Sequence, residues 1–185
     1  MMTEISLNVL DVAQNSIRAN ASLVEISVCA DRKTDWLIIT IKDNGFGMTA
    51  EQVQKVTDPF FTTRTTRKIG LGIPFFKFAA ESTGGSFNIE SEVGVGTIVT
   101  AVFGLSNIDR MPLGDMTSTI HMLITLNTTI DFVYTYKIDD REFKLDTREF
   151  REVLGNVSFD LIDVSTYIRE YLTENKQEVD QGTII

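Results

Sequence analysis

Cysteine, histidine and proline are scarce in this chain: its 185 residues include one cysteine, one histidine and three prolines. A lone cysteine, Cys29, excludes an intramolecular disulfide and is typical of a reducing compartment, so we expect a cytoplasmic protein. No apolar run approaches the ~18 residues that a membrane helix needs. The first residues, MMTEISLNVL, lack the basic and apolar regions of a signal peptide. We therefore expect no membrane partner.

Positive charge is also scarce, since 17 Lys and Arg against 26 Asp and Glu give a net charge of -9. Nucleic-acid surfaces require positive charge, so we expect no nucleic-acid partner. The acidic excess is uneven: residues 105–185 hold 15 acidic and 8 basic residues, whereas residues 1–104 hold 11 and 9. This shift in charge predicts a domain boundary near Leu105.

The pattern of apolar residues in the first part of the chain predicts helices alternating with hairpin-linked strands. Helical spacing predicts helices over 5–19 and about 71–83, and alternation predicts strands over 23–30, 36–41, 86–92 and 97–103. Thr49 and Gln52 have the spacing of a capping box that begins another helix. These elements predict an α+β fold, a two-layer α/β sandwich with helices on one face of a mixed, mainly antiparallel sheet.

Residues 105–185 are predicted to form an acidic α/β extension in which we find no catalytic motif. The expected elements are a helix over 115–126, a hairpin over 131–146, a short helix begun by Thr147 and a helix over 160–175. A lone hairpin is at best marginally stable in water, so we expect the extension to pack on the first domain. His121 and Cys29 lie in apolar segments and are interpreted as structural core residues.

A polar stripe on the first helix is the first candidate for function. Asp11 and Asn15 are four residues apart and therefore project from the same helix face. Buried polar groups need partners, and nucleotide-bound Mg²⁺ takes oxygen ligands of which the protein usually supplies one or two. The alternative is an amphipathic helix whose polar face lies in water.

The segment DNGFG, residues 43–47, follows a predicted strand and is the second candidate. Asp43 can accept a hydrogen bond from an exocyclic amine, and Gly45 and Gly47 allow the backbone to approach a flat ligand closely. The alternative is a plain tight turn, for which Asn-Gly is a common signal.

The third candidate is FFTTRTTRKIGLGI, residues 60–73, in an otherwise acidic chain. Its basic residues precede Gly70, Leu71 and Gly72, which lie at the predicted start of a helix, where unpaired N–H groups favour phosphate. A long loop without periodicity is usually functional or disordered. We predict a phosphate-binding lid over about 57–69, and the alternative is a solvated basic surface loop.

The order of these motifs resembles the GHKL superfamily of ATP-binding domains, which have the Bergerat fold. LDVAQNSIRANA is similar to its asparagine box, DNGFGM to its first glycine box, DPFFTT to its phenylalanine-containing segment and GLGIPFFKFAAESTGG to its second glycine box. ESEVGVGTIVTAVF resembles its terminal hairpin. The superfamily includes sensor histidine kinases, type II topoisomerase ATPase subunits, mismatch-repair ATPases and anti-sigma-factor serine kinases. The whole chain is also similar to small stand-alone ATP-binding proteins.

The resemblance covers about Glu4 to Gly104 and implies a histidine-kinase-like ATP-binding domain over 1–104, with 105–185 as the extension. It implies ATP and Mg²⁺ as cofactors, with Asn15 holding the magnesium and Asp43 binding the adenine amino group. The other nucleotide-binding residues implied by position are Arg18, Gly45, Gly47, Met48, Arg64, Arg67, Lys68, Gly70, Leu71, Gly72, Ile73 and Thr97. Relatives usually have a strand and a helix before the asparagine-box helix, and the hairpin of the extension is a candidate to fill the resulting gap in the sheet.

Asp11 falls where ATPases and serine kinases of this superfamily place a glutamate that acts as general base. The resemblance therefore implies a catalytic role for Asp11, and the alternative is a capping aspartate or one that pairs with Arg18. Two functions remain open. One is a protein kinase that phosphorylates a separate, unidentified protein, and the other is an ATP-switched regulatory module with slow ATPase activity. The negative charge disfavours a DNA-machine ATPase.

Overall fold

The computed structural model describes residues 3–58, 72–155, 157–183 and 185. Within these residues the first part of the chain forms α1 (Ile5–Arg18), β1 (Leu23–Asp31), β2 (Trp36–Asp43), α2 (Ala50–Thr57), α3 (Gly72–Glu81), β3 (Ser86–Glu92) and β4 (Gly96–Gly104). The later part forms α4 (Met116–Leu126), β5 (Asp131–Ile138), β6 (Arg141–Asp146), α5 (Thr147–Leu154) and α6 (Ile162–Asp180). Among all the described residues, no helix is long and apolar enough to cross a bilayer.

The strands form one sheet in the order β3-β4-β2-β1-β5-β6. Neighbouring strands are antiparallel except β1 and β5, which are parallel. Helices pack on one face, so the predicted two-layer α+β sandwich with a mixed, mainly antiparallel sheet is confirmed.

Alternation along the strands separates the core from the opposite face of the sheet. On β1, Val24, Ile26 and Val28 are at most 1% exposed, because a strand directs every second side chain toward the helices. Cys29 follows Val28, so it lies on the other face, and it is only partly buried. Its interpretation as a core residue was therefore wrong, and the reason is that an apolar run hides which of its positions face outward.

Local signals in the sequence set several helix boundaries as predicted. The capping box of Thr49 and Gln52 is present at α2, and the carboxylate of Asp146 accepts the Arg148 N–H at the start of α5, whose first residue is Thr147. The last helix extends to Asp180 rather than 175, because Val179 continues the buried face of α6 at 3% exposure. His121 is half-buried, and its Nε2 lies 3.0 Å from the Ser165 carbonyl oxygen, so it joins α4 to α6.

Strand β5 joins the C-terminal part of the chain to the centre of the sheet. It pairs with β1 over its whole length, from Leu23 opposite Asp131 to Ala30 opposite Ile138. Four of its buried side chains belong to the same apolar cluster as those of α1, β1 and β2; they are Phe132, Tyr134, Tyr136 and Ile138. The division of the chain into domains at residue 104 remains a prediction.

Removal of residues 105–185 is expected to abolish cooperative unfolding. A fragment of residues 1–104 would expose one edge of β1 and the apolar surface that β5 covers, including Val24 and Ile26. Each large apolar side chain contributes about 1.5–3 kcal/mol when buried, and a whole domain is stable by only ~5–15 kcal/mol. Thermal unfolding followed by circular dichroism would compare the fragment with the full chain. An unchanged midpoint in the fragment would mean that β5 adds nothing to the stability of residues 1–104.

Candidate functional site

A cleft of about 200 Å³ lies between α1, the end of β2 and the start of β4. Seven of the residues proposed from the sequence line it: Asn15, Arg18, Asp43, Gly47, Met48, Ile73 and Thr97. Its remaining lining residues are Val12, Ser16, Ala19, Phe46, Val56 and Val99. The cleft thus has mostly apolar walls with a few polar groups, which is the usual composition of a small-molecule site.

The carboxylate of Asp43 is the most buried charged group of the cleft. Asp43 is the last residue of β2 and is 9% exposed. Its Oδ2 accepts a hydrogen bond from the Ser16 hydroxyl at 2.6 Å, and its Oδ1 accepts one from the Gly45 N–H at 2.9 Å. Each carboxylate oxygen can accept a further hydrogen bond, so Asp43 is held in one orientation and can still receive a donor from a ligand.

A set of hydroxyl groups joins the DNGFG loop to the β3–β4 hairpin behind Asp43. The Ser91 hydroxyl accepts the Met48 N–H at 2.8 Å and lies 2.8 Å from the Thr97 hydroxyl oxygen. Thr97 is the cross-strand neighbour of Asp43 in the register of β2 and β4. These contacts fix the backbone of the loop against the sheet, so the wall of the cleft is formed before any ligand arrives.

Gly47 is required by both its conformation and its surroundings. Its φ is +68°, and a Cβ at this position would lie 1.9 Å from the Glu92 carbonyl oxygen. A side chain would therefore push the loop away from the β3–β4 hairpin. Gly94 in that hairpin has a similar φ of +81° but no atom within 4 Å of the corresponding Cβ position.

We expect Gly47→Ala to lower the free energy of unfolding by roughly 1–3 kcal/mol more than Gly94→Ala, the usual cost of overpacking. Both variants carry the same backbone strain, so the difference between them measures the clash with the hairpin. Denaturant unfolding of the two purified variants would give this difference. Equal loss of stability in both would mean that the loop moves freely and that Gly47 does not shape the cleft.

Asn15 and Arg18 form the polar rim of the cleft on α1. An Arg18 guanidinium N–H donates to Asn15 Oδ1 at 3.1 Å. The amide oxygen of Asn15 has a second lone pair that can accept another interaction. Among the residues that the structure describes, no group of three or more His, Cys, Asp or Glu side chains could hold a metal ion. Any metal here would therefore take few protein ligands.

Asp11 lies one turn before Asn15 on α1 and meets the first residue of α3. A Cβ on Gly72 would lie 1.6 Å from Asp11 Oδ2, so the carboxylate occupies the space that only a glycine leaves at the start of α3. Asp11 Oδ2 is buried and accepts no hydrogen bond from any residue in the described ranges. Arg18 donates to Asn15 instead, so the predicted alternative of an Asp11–Arg18 salt bridge is wrong.

Of the phosphate loop predicted over 57–69, the structure describes only Thr57 and Asp58. Thr57 is the last residue of α2 and Asp58 is its C-cap, so the predicted start of the loop at 57 lies within this helix. The proposed residues Arg64, Arg67, Lys68, Gly70 and Leu71 lie outside the described residues. Gly72 and Ile73 begin α3, and Ile73 reaches the cleft.

Two serines of the site were not proposed from the sequence. Ser16 lies on α1, and its hydroxyl orients Asp43. Ser91 lies on β3, and its hydroxyl connects Met48 with Thr97. The sequence did contain a signal for Ser16, because it is a polar residue that continues the apolar face of α1 formed by Val9 and Val12. Ser16 is 3% exposed.

A larger hollow of about 400 Å³ lies on the opposite face of the sheet and shares Asp43 and Thr97 with the cleft. Two of its charged residues, Glu25 and Lys42, form an ion pair of 2.7 Å, and Glu90 and Glu92 add further negative charge to its lining. Both oxygens of Asp43 are instead oriented by groups on the helix side, namely Ser16 and Gly45. The smaller cleft is therefore the better candidate for a functional site.

The first part of the chain is similar in sequence to known proteins. Residues 3–107 match the sequence model of the family described as histidine kinase-, DNA gyrase B-, and HSP90-like ATPase. The sensor protein SrrB of Staphylococcus aureus is 34% identical over 101 residues, which make up 52% of this chain and 17% of that protein. The chain thus spans about one sixth of the length of this curated relative.

Two solved structures were found to be similar, and the first of them shows a similar fold. The N-terminal domain of a DNA repair protein superposes with a TM-score of 0.53 at 18% identity, over 78% of this chain and 52% of that one. The Aquifex aeolicus MutL ATPase domain complexed with ADP gives a TM-score of 0.47 at 21% identity, over 83% of this chain and 70% of that one.

Proposed function

The chain belongs to the histidine kinase-, DNA gyrase B- and HSP90-like ATPase family, the GHKL superfamily, and we propose that it binds Mg²⁺-ATP in the cleft between α1 and β4 and acts as a protein kinase on a separate partner. The observation that carries the proposal is the carboxylate of Asp43, which is buried at the wall of an apolar cleft and retains capacity to accept a donor. The exocyclic amine of adenine is such a donor, and Gly47 and Thr97 would line the same base.

The phosphates would extend from the base toward the rim of the cleft and the start of α3. Arg18 supplies positive charge at this rim, and the N-terminus of α3 supplies the positive end of a helix dipole. Arg64, Arg67, Lys68, Gly70 and Leu71 are proposed to contact the phosphates as well.

Mg²⁺ would be held by Asn15, whose amide oxygen is the kind of ligand this cation prefers. The donor set fits magnesium rather than a softer metal, because Asn15 offers oxygen and the described residues contain no His or Cys cluster nearby. When bound, the ion would neutralise charge on the phosphates. Arg18 would have to share Asn15 Oδ1 with the ion or turn toward the phosphates.

Asp11 is proposed to orient the attacking hydroxyl group. Its buried Oδ2 lacks a donor among the described residues and faces the start of α3, where phosphates are expected. A hydroxyl group of a partner side chain or a water would supply that donor. Phosphoryl transfer depends mainly on such positioning and on charge neutralisation.

A kinase is favoured over a simple ATPase because relatives that match this domain, such as SrrB, are described as sensor proteins. The second candidate is a regulatory module in which ATP binding changes a partner surface and hydrolysis is slow. The observation that favours it is the C-terminal part of the chain, which is built into the same sheet as the cleft. A cytoplasmic location is proposed from the lone cysteine.

Incubation with γ-labelled ATP and fractionated cell extract tests the two candidates. A kinase transfers label to a second protein, and Asp43→Asn abolishes the labelled band. A switch instead retains a partner on the immobilised chain only when ATP is present, without transfer of label. Absence of both label transfer and ATP-dependent retention, in a chain that binds ATP by calorimetry, would contradict both candidates.

A further inference from the structure

An apolar cleft lies between α5 and α6, in the C-terminal part of the chain. It has a volume of about 340 Å³ and is lined by Glu149, Phe150, Val153, Leu154 and Tyr167. Val153 is 86% exposed and Tyr167 is 53% exposed, although both side chains are largely apolar. Contiguous exposed apolar surface of this kind usually marks an interaction site. We refer to these five residues as the α5–α6 cleft.

The base of the α5–α6 cleft is held in place by packing and hydrogen bonds. The ring of Phe150 contacts Tyr167 and Tyr171, with centroids 6.0 and 5.4 Å away. Arg151, on the next position of α5, donates to Asp131 Oδ1 at 2.9 Å and to the Thr128 carbonyl oxygen at 2.7 Å. The cleft is therefore formed in advance, and a ligand would not have to order it.

Negative charge surrounds the α5–α6 cleft. Glu149 lies one turn before Val153 on α5, and Asp163 and Glu170 lie one turn to either side of Tyr167 on α6. None of these three carboxylates forms an ion pair with another described residue. The basic residues of α5 are used internally: Arg148 pairs with Asp146, and Arg151 pairs with Asp131. The rim is thus acidic and available to an outside partner.

The negative charge of the rim determines which kind of partner can bind in the α5–α6 cleft. A second copy of the chain would bring an equally acidic rim against the first, in a protein of net charge -9, and like charges at an interface are costly. Membranes with anionic lipids and nucleic acids would be repelled for the same reason. A groove between two helices with exposed apolar side chains accepts the apolar face of a third helix.

We propose that the α5–α6 cleft docks an amphipathic helix of a partner protein, with apolar residues facing Phe150, Val153 and Tyr167 and with Lys or Arg flanking them. The acidic rim would meet the basic residues and the apolar floor would bury the helix face. This site lies after residue 146, away from the nucleotide cleft on α1 and β4, so the proposal does not depend on ATP binding.

Fluorescence anisotropy with a labelled peptide tests the proposal on the full chain. The probe is a synthetic amphipathic helix of leucine and lysine, about 18 residues long so that it can be helical. One control has glutamate in place of lysine, and a second has the same composition with the leucines distributed around the helix. We expect only the amphipathic leucine–lysine peptide to bind, and its affinity to fall as salt rises.

Variants then locate the binding. Val153→Ser is expected to weaken peptide binding by about threefold, because a side chain at an interface rim is only partly buried by the ligand. Val153→Ser with Tyr167→Ser is expected to weaken it by about tenfold or more. Glu149→Gln with Asp163→Asn should flatten the salt dependence. Ile108→Ser is the matched control, because Ile108 is 97% exposed at another place and should leave binding unchanged.

Three results would overturn the proposal. The first is equal binding of the glutamate peptide, and the second is unchanged binding after Val153→Ser with Tyr167→Ser. The third is a concentration-dependent dimer, seen by analytical ultracentrifugation, that Val153→Ser abolishes, since this would assign the cleft to a second copy of the chain. ATP affinity measured on the same variants should not change, which separates failure of this site from failure of the nucleotide site.

Discussion

Asp43→Asn is expected to weaken ATP binding by about ten- to a hundredfold, because an unpaired buried donor costs ~1–3 kcal/mol. The substitution keeps the shape of the side chain. The amide oxygen of the new side chain can still accept the Gly45 N–H, and the Ser16 hydroxyl can accept from the new NH₂ group. The NH₂ group would then face the amine of adenine, donor against donor. Isothermal titration calorimetry measures the affinity.

Inosine triphosphate provides the sharpest control for this assignment. Its base has an oxygen where adenine has the amine, so the Asp43→Asn variant should lose less affinity for it than for ATP. Ser16→Ala should weaken ATP binding by a smaller factor, because it removes only the group that orients Asp43. The unfolding midpoint of each variant shows whether the fold persists. Equal ATP affinity for Asp43→Asn and the unchanged chain would remove Asp43 from the adenine pocket.

Asp11→Asn is expected to leave ATP affinity almost unchanged and to lower turnover by ~10²–10⁴-fold, the usual contribution of a general base. The amide has the size of the carboxylate, so it should fit the space above Gly72. It cannot take up the proton or hold the attacking hydroxyl as strongly. Turnover should be measured with saturating ATP and the partner protein in its unphosphorylated form. Asp is one methylene shorter than the Glu of relatives, so an attacking hydroxyl from the partner would be needed to reach it.

Gly72→Ala gives an independent test of the same contact. The new methyl group would displace Asp11 without changing its chemistry, so turnover should fall while the carboxylate remains. Combined with Asp11→Asn, the two losses should not add, because residues in contact couple. Turnover of Asp11→Asn within a few-fold of the unchanged chain would leave Asp11 a structural residue and favour the regulatory module.

The sequence predicted the order and type of the elements because each depends on local periodicity. The strand at Leu23 and the helix at Thr147 follow from alternation and from capping groups close by in the chain. The parallel pairing of β5 with β1 was not predicted in detail. Periodicity shows which side of a strand is buried but not which strand lies beside it.

The same limit applies to the candidate site. Asp43 and Asn15 were proposed because their motifs resemble those of a family, and the structure brings both to one cleft. The hydrogen bond from Ser16 to Asp43 and the contact of Asp11 with Gly72 depend on how α1 approaches β2 and α3. Such contacts between distant segments leave no periodic pattern in the sequence.

The parallel pairing of β1 with β5 has a consequence for the order of events during synthesis. When residues 1–104 have left the ribosome, β1 can pair with β2 on one side, but its other edge stays unpaired until residues 131–138 emerge. Pairing between segments so far apart in the chain is slow, and an unpaired strand edge invites association with other nascent chains. We therefore expect the cleft between α1 and β4 to reach its final form only after β5 emerges, so that the need for chaperones is greatest while residues 105–138 are being synthesised.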